Sequence, residues 1–343
     1  MTLPYSLLFV IPFIFIISWL ANKDETKKVN TTSTKTIPNA TTPYSTTNNP
    51  KPTISNTSNI DIIQSHIPQY IEKGTEYESL IKNSFLLSFS WIRQNAANYI
   101  GGNSTPIYHR GVLPLVSYKE LYQYMFSYGN MHYAKMKSAL EYLPNSIFQN
   151  KIEIIDWGCG QGIATITLLQ IKRPSKVSFI LIEPGKLALE RAALNVKYFH
   201  KKYSSGMFSC RTIHKDFDSL NLSDVCTSSG IKIHLFSNTL DIVGRYNQYD
   251  LMNLIKKTQK GLNYFVCVSP YQDDERRNKI DNFVSSFRQC ANFKLYYSID
   301  NSKDDDFWNC NKYFKRELCE RDYNCNDCYA KWTRIIRVFS VNL

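Results

Sequence analysis

Acidic residues are scarce in this chain: 29 Asp and Glu stand against 41 Lys and Arg in 343 residues, for a formal charge of +12. Long basic runs are missing too. Lys and Arg are scattered in runs of no more than two or three, so there is no clear nucleic-acid motif, and the charge serves either solubility or an anionic partner such as RNA, DNA, anionic lipid or a small anionic substrate. The nine cysteines are odd in number and several sit inside apolar runs such as "YFVCVS", which suits a reducing compartment better than a disulfide framework. Disorder of the whole chain is excluded. With 43% hydrophobic residues it can bury the core of one large domain with additions, or of two domains.

An uncharged run, Leu3 to Leu20, comes close to the length that spans a hydrocarbon core. It lacks the basic n-region and the small-residue cleavage site of a secretory signal, while Trp19 and then Lys23, Lys27 and Lys28 form an interfacial belt followed by positive charge. The expectation is an N-terminal hydrophobic anchor over residues 1–22, partnered with membrane through residues 3–20, with the folded part cytoplasmic. A signal peptide and a misassigned start are the alternatives. Residues 23–58 are rich in Thr, Asn, Ser and Pro and cannot bury enough surface to fold, so they read as a tether. Its Asn30, Asn39 and Asn56 triplets would be glycosylated only in a secretory compartment.

Residues 59–149 carry apolar positions at helical spacing in the stretches 60–74, 77–100 and 118–143, and read as a helical cap on the remainder of the chain. From residue 150 to 343 short apolar strands alternate with helices, the pattern of a parallel sheet covered on both faces. Strands are expected at "KIEIIDW", "KVSFILIE", "SCRTIHKDF", "IKIHLFSN", "NYFVCVSP", "NFKLYYSI" and "WTRIIRVFSV", with a polar, Cys-containing insertion at 301–330 before the last. In such a sheet the ligand crevice lies at the carboxyl ends of the strands.

The first strand runs into glycines at 158, 160 and 162 ahead of a helix, a turn where backbone N–H groups approach a ligand closely. Ile163 stands where a dinucleotide fingerprint needs its third glycine, and no Lys-Ser or Lys-Thr comes after it at P-loop spacing. The stretch instead resembles motif I of the class I S-adenosylmethionine-dependent methyltransferases, matched by Asp156, Gly158, Gly160 and Gly162. Glu183 ends the second strand where this family sets an acid for the ribose hydroxyls. Asp216 ends the third, where an acid reaches the adenine amine and Phe217 lines the ring. The resemblance covers roughly residues 150–343. It implies an α/β fold with a Rossmann-like seven-stranded sheet, S-adenosyl-L-methionine as cofactor, and a cofactor site of Asp156, Gly158, Cys159, Gly160, Gly162, Glu183, Asp216, Phe217, Ser237 and Asn238.

The chain departs from amino-methylating nucleic-acid enzymes, since "HLFSNTLDI" stands where they carry a motif such as N-P-P-Y, and the prolyl-cysteine pair of the cytosine C5 enzymes is missing as well. The methyl acceptor, whether small molecule, protein or RNA, stays open. "MHYAKMKSALEYL" ahead of "IIDWGCGQG" also resembles the GRAS regulatory domain, which implies a rival: a catalytically silent ligand-binding or interaction module. A general base is needed only for some acceptors, and the candidates at strand ends are Asp241, Tyr271 and Asp273. Ser237 and Asn238 can orient an acceptor or cap a helix. His132 can reach the ligand from the preceding helix or simply pack, and His234 is expected to pack. In the insertion, Cys310, Cys319, Cys325 and Cys328 include one C-x-x-C pair, but their spacing fits no common zinc module, so no metal site is assigned.

Overall fold

The computed structural model describes residues 76–101, 107, 112–227, 229–302, 308–309 and 331–343. The expected anchor at 3–20, the tether, the helical stretch at 60–74 and the four insertion cysteines lie outside these residues. Among the described residues no helix is long and apolar enough to cross a membrane, and no group of His, Cys, Asp and Glu is placed to hold a metal ion. Ile62–Leu343 forms a compact unit by itself.

Among the described residues, three α-helices and a 3-10 turn (Asn145–Gln149) precede the sheet. The stretch at 77–100, continuous by apolar spacing, is broken into α1 (Glu76–Lys82) and α2 (Phe89–Tyr99). Local side-chain bonds outcompete the helix at the break: Ser88 caps α2 by accepting from the Trp91 N–H at 3.2 Å, and the Phe89 N–H is satisfied by Gln170 at 3.1 Å. The third helix, α3 (Tyr118–Leu140), starts at Ser117, which accepts from the Glu120 N–H.

Alternating strands and helices then come as expected: β1 (Lys151–Trp157), α4 (Ile163–Lys172), β2 (Lys176–Ile182), α5 (Lys186–Tyr203), β3 (Cys210–Ile213), the short α6 (Leu222–Val225), β4 (Ile231–Ser237), α7 (Arg245–Thr258) and β5 (Leu262–Ser269). An additional helix, α8 (Asp274–Ser285), precedes β6 (Ala291–Asn301). Its "DERRNKIDNFVS" is mostly polar, which hides the apolar seam of Ile280, Phe283 and Val284. The chain ends in β9 (Arg334–Asn342), preceded by a two-residue pairing of β7 (Trp308–Asn309) with β8 (Lys331–Trp332).

The sheet order is β3-β2-β1-β4-β5-β9-β6, with β9 antiparallel to both neighbours and β1 to β5 mutually parallel. Side chains of β1 alternate between the faces: Ile152 and Ile154 enter one apolar layer, Ile155 and Trp157 the other. The first layer is closed by α4, α5 and α3, with α2 packed outside α3 and α4. The second is closed by α7 and α8, where Phe265 stacks between His234 and Phe339 with ring centroids 4.4 and 4.6 Å away. His234 is packed as expected, accepting from Trp157 Nε1 at 3.1 Å and donating through Nε2 to Asn263 at 2.9 Å.

One buried cation fastens the antiparallel edge. Arg337 on β9 is 6% exposed and grips Asp300 of β6 with two bonds, at 2.6 and 3.1 Å, and Asp281 of α8 at 2.8 Å. Arg337→Met keeps the stem and leaves the two carboxylates facing each other. It is expected to cost about 1 to 3 kcal/mol, since both acids keep some solvent. Asp281→Asn, at the wetter end, should cost less than about 1 kcal/mol. Urea unfolding reads both.

Candidate active site

Between β1 and α4 the backbone passes through the left-handed region three times, at Gly158 (φ 69°), Gly160 (φ 53°) and Gly162 (φ 78°). L side chains disfavour that region, so alternate glycines are what the turn requires. The space around them differs. A Cβ on Gly158 would lie 2.4 Å from Thr239 Cγ2, and one on Gly162 would press on Ala192 of α5 at 3.3 Å. A Cβ on Gly160 would meet nothing within 4 Å, so the open side of the turn is there. Gln161 ties the turn into the fold, donating from Nε2 to the Leu121 carbonyl of α3 while its own carbonyl accepts from Asn195 of α5, each at 2.9 Å. Cys159 is buried, and burial pushes its thiol well up, so it packs as an inert side chain.

The acids the sequence singles out have three different environments. Glu183, at the end of β2, accepts from the Gly160 and Gly185 N–H groups at 2.9 Å each, which joins the first two strand-end turns. Burial raises its carboxyl while these two bonds pull it back down. Asp156 is sealed beneath the turn: one oxygen accepts from Thr165 of α4 at 2.7 Å and the other, Oδ1, is buried without a partner. Burial is the larger effect and lifts its carboxyl to about 7 against the Thr165 bond. Asp216 is exposed and accepts from the backbone N–H of Ser219 at 2.9 Å and from its hydroxyl, bonds that hold its carboxyl down. Phe217 packs edge-on to Trp157, with Cζ 3.7 Å from the Cβ position of Gly158, so it lies beside the turn.

At the end of β4, Ser237 and Asn238 cap no helix; α7 begins instead behind Gly244. Asn238 sits at φ 59°, and its Nδ2 donates to His132 Nδ1 at 3.0 Å and to Ser237 Oγ at 3.1 Å. Those two acceptors fix the amide's orientation and leave Asn238 Oδ1 buried without a partner, like Thr239 Oγ1 next to it. His132 is thereby placed at the strand ends from α3. Burial, then the Lys135 charge, holds it down at about 3, so the ring is neutral.

The candidate bases are all engaged. Asp241 is buried and accepts from Ser269 at 2.9 Å, with burial raising its carboxyl. Asp273 caps α8 by accepting from the Arg276 N–H at 2.8 Å. Tyr271 donates to Asp274, and that bond raises the phenol. The structure adds residues that no sequence motif singles out. Thr239, Thr165 and Gln161 shape and brace the turn. On α3, burial raises the Tyr124 phenol, and the carboxylates of Glu183 and Asp241 add to that. Lys135 is fully buried with no partner for its amine, which burial lowers to about 7 despite Asp241. Thr165 stands nine residues after Asp156, so that pairing at least had a strand-turn-helix spacing to suggest it. The others depend on contacts between distant segments.

A seven-stranded sheet with its single antiparallel strand next to the edge, a glycine turn after β1 and an acid at the end of β2 make up the Rossmann-like fold of class I methyltransferases. No family model matches the chain, and no curated protein matches it in sequence. Among solved structures it is similar to the small RNA methyltransferase HEN1 (13% identity, TM-score 0.39), covering 60% of this chain and 25% of that one. It is also similar to the plantazolicin methyltransferase BamL (12%, TM-score 0.40; 78% of this chain, 99% of that one). A third is the magnesium protoporphyrin IX methyltransferase of Synechocystis PCC 6803 (11%, TM-score 0.37; 74% and 99%).

Two predictions concern the turn. Gly158→Ala meets Thr239 and adopts a disfavoured φ, so it should lose about 2 to 4 kcal/mol of stability, whereas Gly160→Ala, with space but the same strain, loses about 1. Chemical denaturation separates them. Asp156 binds its proton more tightly folded than unfolded, so its contribution to stability is full below about pH 4 and is lost as pH rises through about 7. Asp156→Asn cannot ionise. It should match wild type near pH 4 and become progressively more stable toward pH 8, by at most about 4 kcal/mol, measured as unfolding free energy across that range.

Proposed function

We propose that the chain transfers a methyl group from S-adenosyl-L-methionine to an acceptor seated over the ends of β4 and β5. The observation that carries this reading is the turn at Gly158–Gly162, open over Gly160 and held from below by the Glu183 carboxylate. The residues suit that cofactor. Glu183 keeps lone pairs free for a ribose diol after receiving two backbone N–H groups. Phe217 offers a ring beside the turn. Two buried oxygens without partners, Asn238 Oδ1 and Thr239 Oγ1, follow the end of β4. Both can accept hydrogen bonds, which is the complement an ammonium group needs. No phosphate-binding lysine accompanies the turn, which fits a ligand without phosphate.

When bound, the cofactor supplies an activated methyl on a sulfonium, so the protein's task is mainly to hold the nucleophile in line about 3 Å from it. Ser237, whose Oγ accepts from the Asn238 amide, keeps its hydroxyl proton to orient that nucleophile at the end of β4. Asp241, Tyr271 and Asp273 are occupied by Ser269, Asp274 and the α8 amino end. An acceptor that attacks without losing a proton first needs no base from these three.

The test is calorimetry on Ile62–Leu343 with S-adenosylmethionine and S-adenosylhomocysteine. Both should bind, Gly160→Arg should abolish binding, and Glu183→Ala should weaken it by about 1 to 3 kcal/mol. A folded wild-type unit that binds neither sinks the proposal. Binding without labelled methyl transfer to any cell-extract fraction supports the silent, GRAS-like module instead. For the whole chain we also propose attachment to the membrane through residues 3–20 with the sheet on the cytoplasmic side, supported by that uncharged run and the lysines after it. Full-length protein should sediment with membranes, and recovery of a mature chain starting after Ala21 in a secreted fraction would refute this.

A further inference from the structure

The amino-terminal edge of the parallel strands, opposite the glycine turn, has its own chemistry. Three segments meet there: the α1–α2 turn, the α4–β2 connection and the end of α5 with the loop into β3. Residues 79–94, 171–178 and 197–209 contain no Asp or Glu. Lys82, Arg173, Lys176, Lys201 and Lys202 are exposed on them. Among these cations stand apolar side chains with almost no cover: Phe85 is 96% exposed, Met207 91% and Leu86 77%.

The segments are fixed to one another. Lys202 donates to the Phe85 carbonyl at 2.9 Å and Tyr203 to the Leu87 carbonyl at 2.8 Å, so the turn bearing Phe85 and Leu86 is held against the end of α5. The Arg173 guanidinium lies 5.7 Å from the Tyr203 ring centroid, and the Cβ position of Gly206 is 2.6 Å from the Ser175 carbonyl, which brings the other two segments to the same place. Leu87 and Phe89, next in sequence, are buried and root the turn in the core. A tip that points a Phe and a Leu into solvent, on segments that carry exposed cations and no acid, is costly to leave in water and suits an anionic lipid surface.

We propose that this edge docks on an anionic membrane, with Phe85 and Leu86 entering the boundary between headgroups and acyl chains and the surrounding lysines meeting lipid phosphates. A nucleic acid would use the charge but would gain little from Leu86 and Met207. A second copy would set these cations against their own equivalents across a twofold axis. Because the docked edge is opposite the strand ends, the glycine turn faces away from the lipid and stays open. The proposal holds whether or not the site transfers methyl groups.

The test is co-sedimentation of Ile62–Leu343, which lacks residues 3–20, with phosphatidylcholine vesicles that do or do not contain phosphatidylglycerol. Association is expected with the anionic vesicles alone and should fall as salt rises. Phe85→Ser with Leu86→Ser, and separately Lys176→Glu with Lys201→Glu, should each weaken it about tenfold while leaving the circular dichroism unchanged. Tryptophan fluorescence of Phe85→Trp should shift to the blue on the anionic vesicles. The proposal is overturned if wild type ignores the vesicles or if both double variants bind like wild type. It is equally overturned if the lysine pair governs binding to a single-stranded oligonucleotide while vesicles are ignored, or if the Phe85/Leu86 variant converts a dimer into a monomer in sedimentation velocity.

Discussion

Glu183 receives two backbone N–H groups, from Gly160 and from Gly185, on one carboxylate at the end of β2. Through those two bonds the turn after β1 and the turn after β2 behave as one body, so the start of α4 and the start of α5 keep a fixed relation. Everything at the carboxyl edge is referenced to that pair of turns. Gln161 carries the connection up to α3, Gly158 carries it across to Thr239 at the end of β4, and Asp156 braces it from beneath through Thr165. The carboxylate pays for burial with those hydrogen bonds, and both are directed at backbone, which no side-chain substitution elsewhere can replace.

The edge acquires its polarity from α3 as much as from the strands. Leu121 meets the glycine turn, Tyr124 lies within the field of Glu183 and Asp241, His132 orients Asn238, and Ser138 accepts from Arg334 at the start of β9. One helix that precedes the sheet in sequence therefore runs from the glycine turn to the start of β9. Interleaved with these residues on the same helix are Met125, Ala134 and Met136, which are buried in the first core layer. The same helix thus supplies packing and chemistry, with the neutral His132 and the depressed Lys135 marking the dry side of the boundary.

Much of this was legible in the sequence where the signal is local. All seven long strands can be read from short β-branched and aromatic runs, the turn from its alternate glycines, and Glu183 from its position after "FILI". The break between α1 and α2 was not, because apolar spacing continues through it while Ser88 and Gln170 satisfy the backbone otherwise. The helix α8 was hidden by its charged face. The reasons for individual residues were hidden by distance: Gly158 is needed because of Thr239, and Asn238 is held by His132 from 106 positions earlier. Asp273, which the pattern offers as a base, turns out to cap a helix, since a strand-end acid before a helix has the same sequence signature in either role.

The position of α3 has a consequence for how the chain is made. It packs on β5 and β9, and its Ser138 bonds to Arg334 across 196 positions of sequence. During synthesis this helix can pack on α2 at once and on α4 soon after, while its seats on β5 and β9 wait for strands made much later. Because β9 lies between β5 and β6, completing the sheet and the seat of α3 depends on contacts of large sequence separation. A nascent chain stalled anywhere short of that strand would carry an open apolar face into the cell.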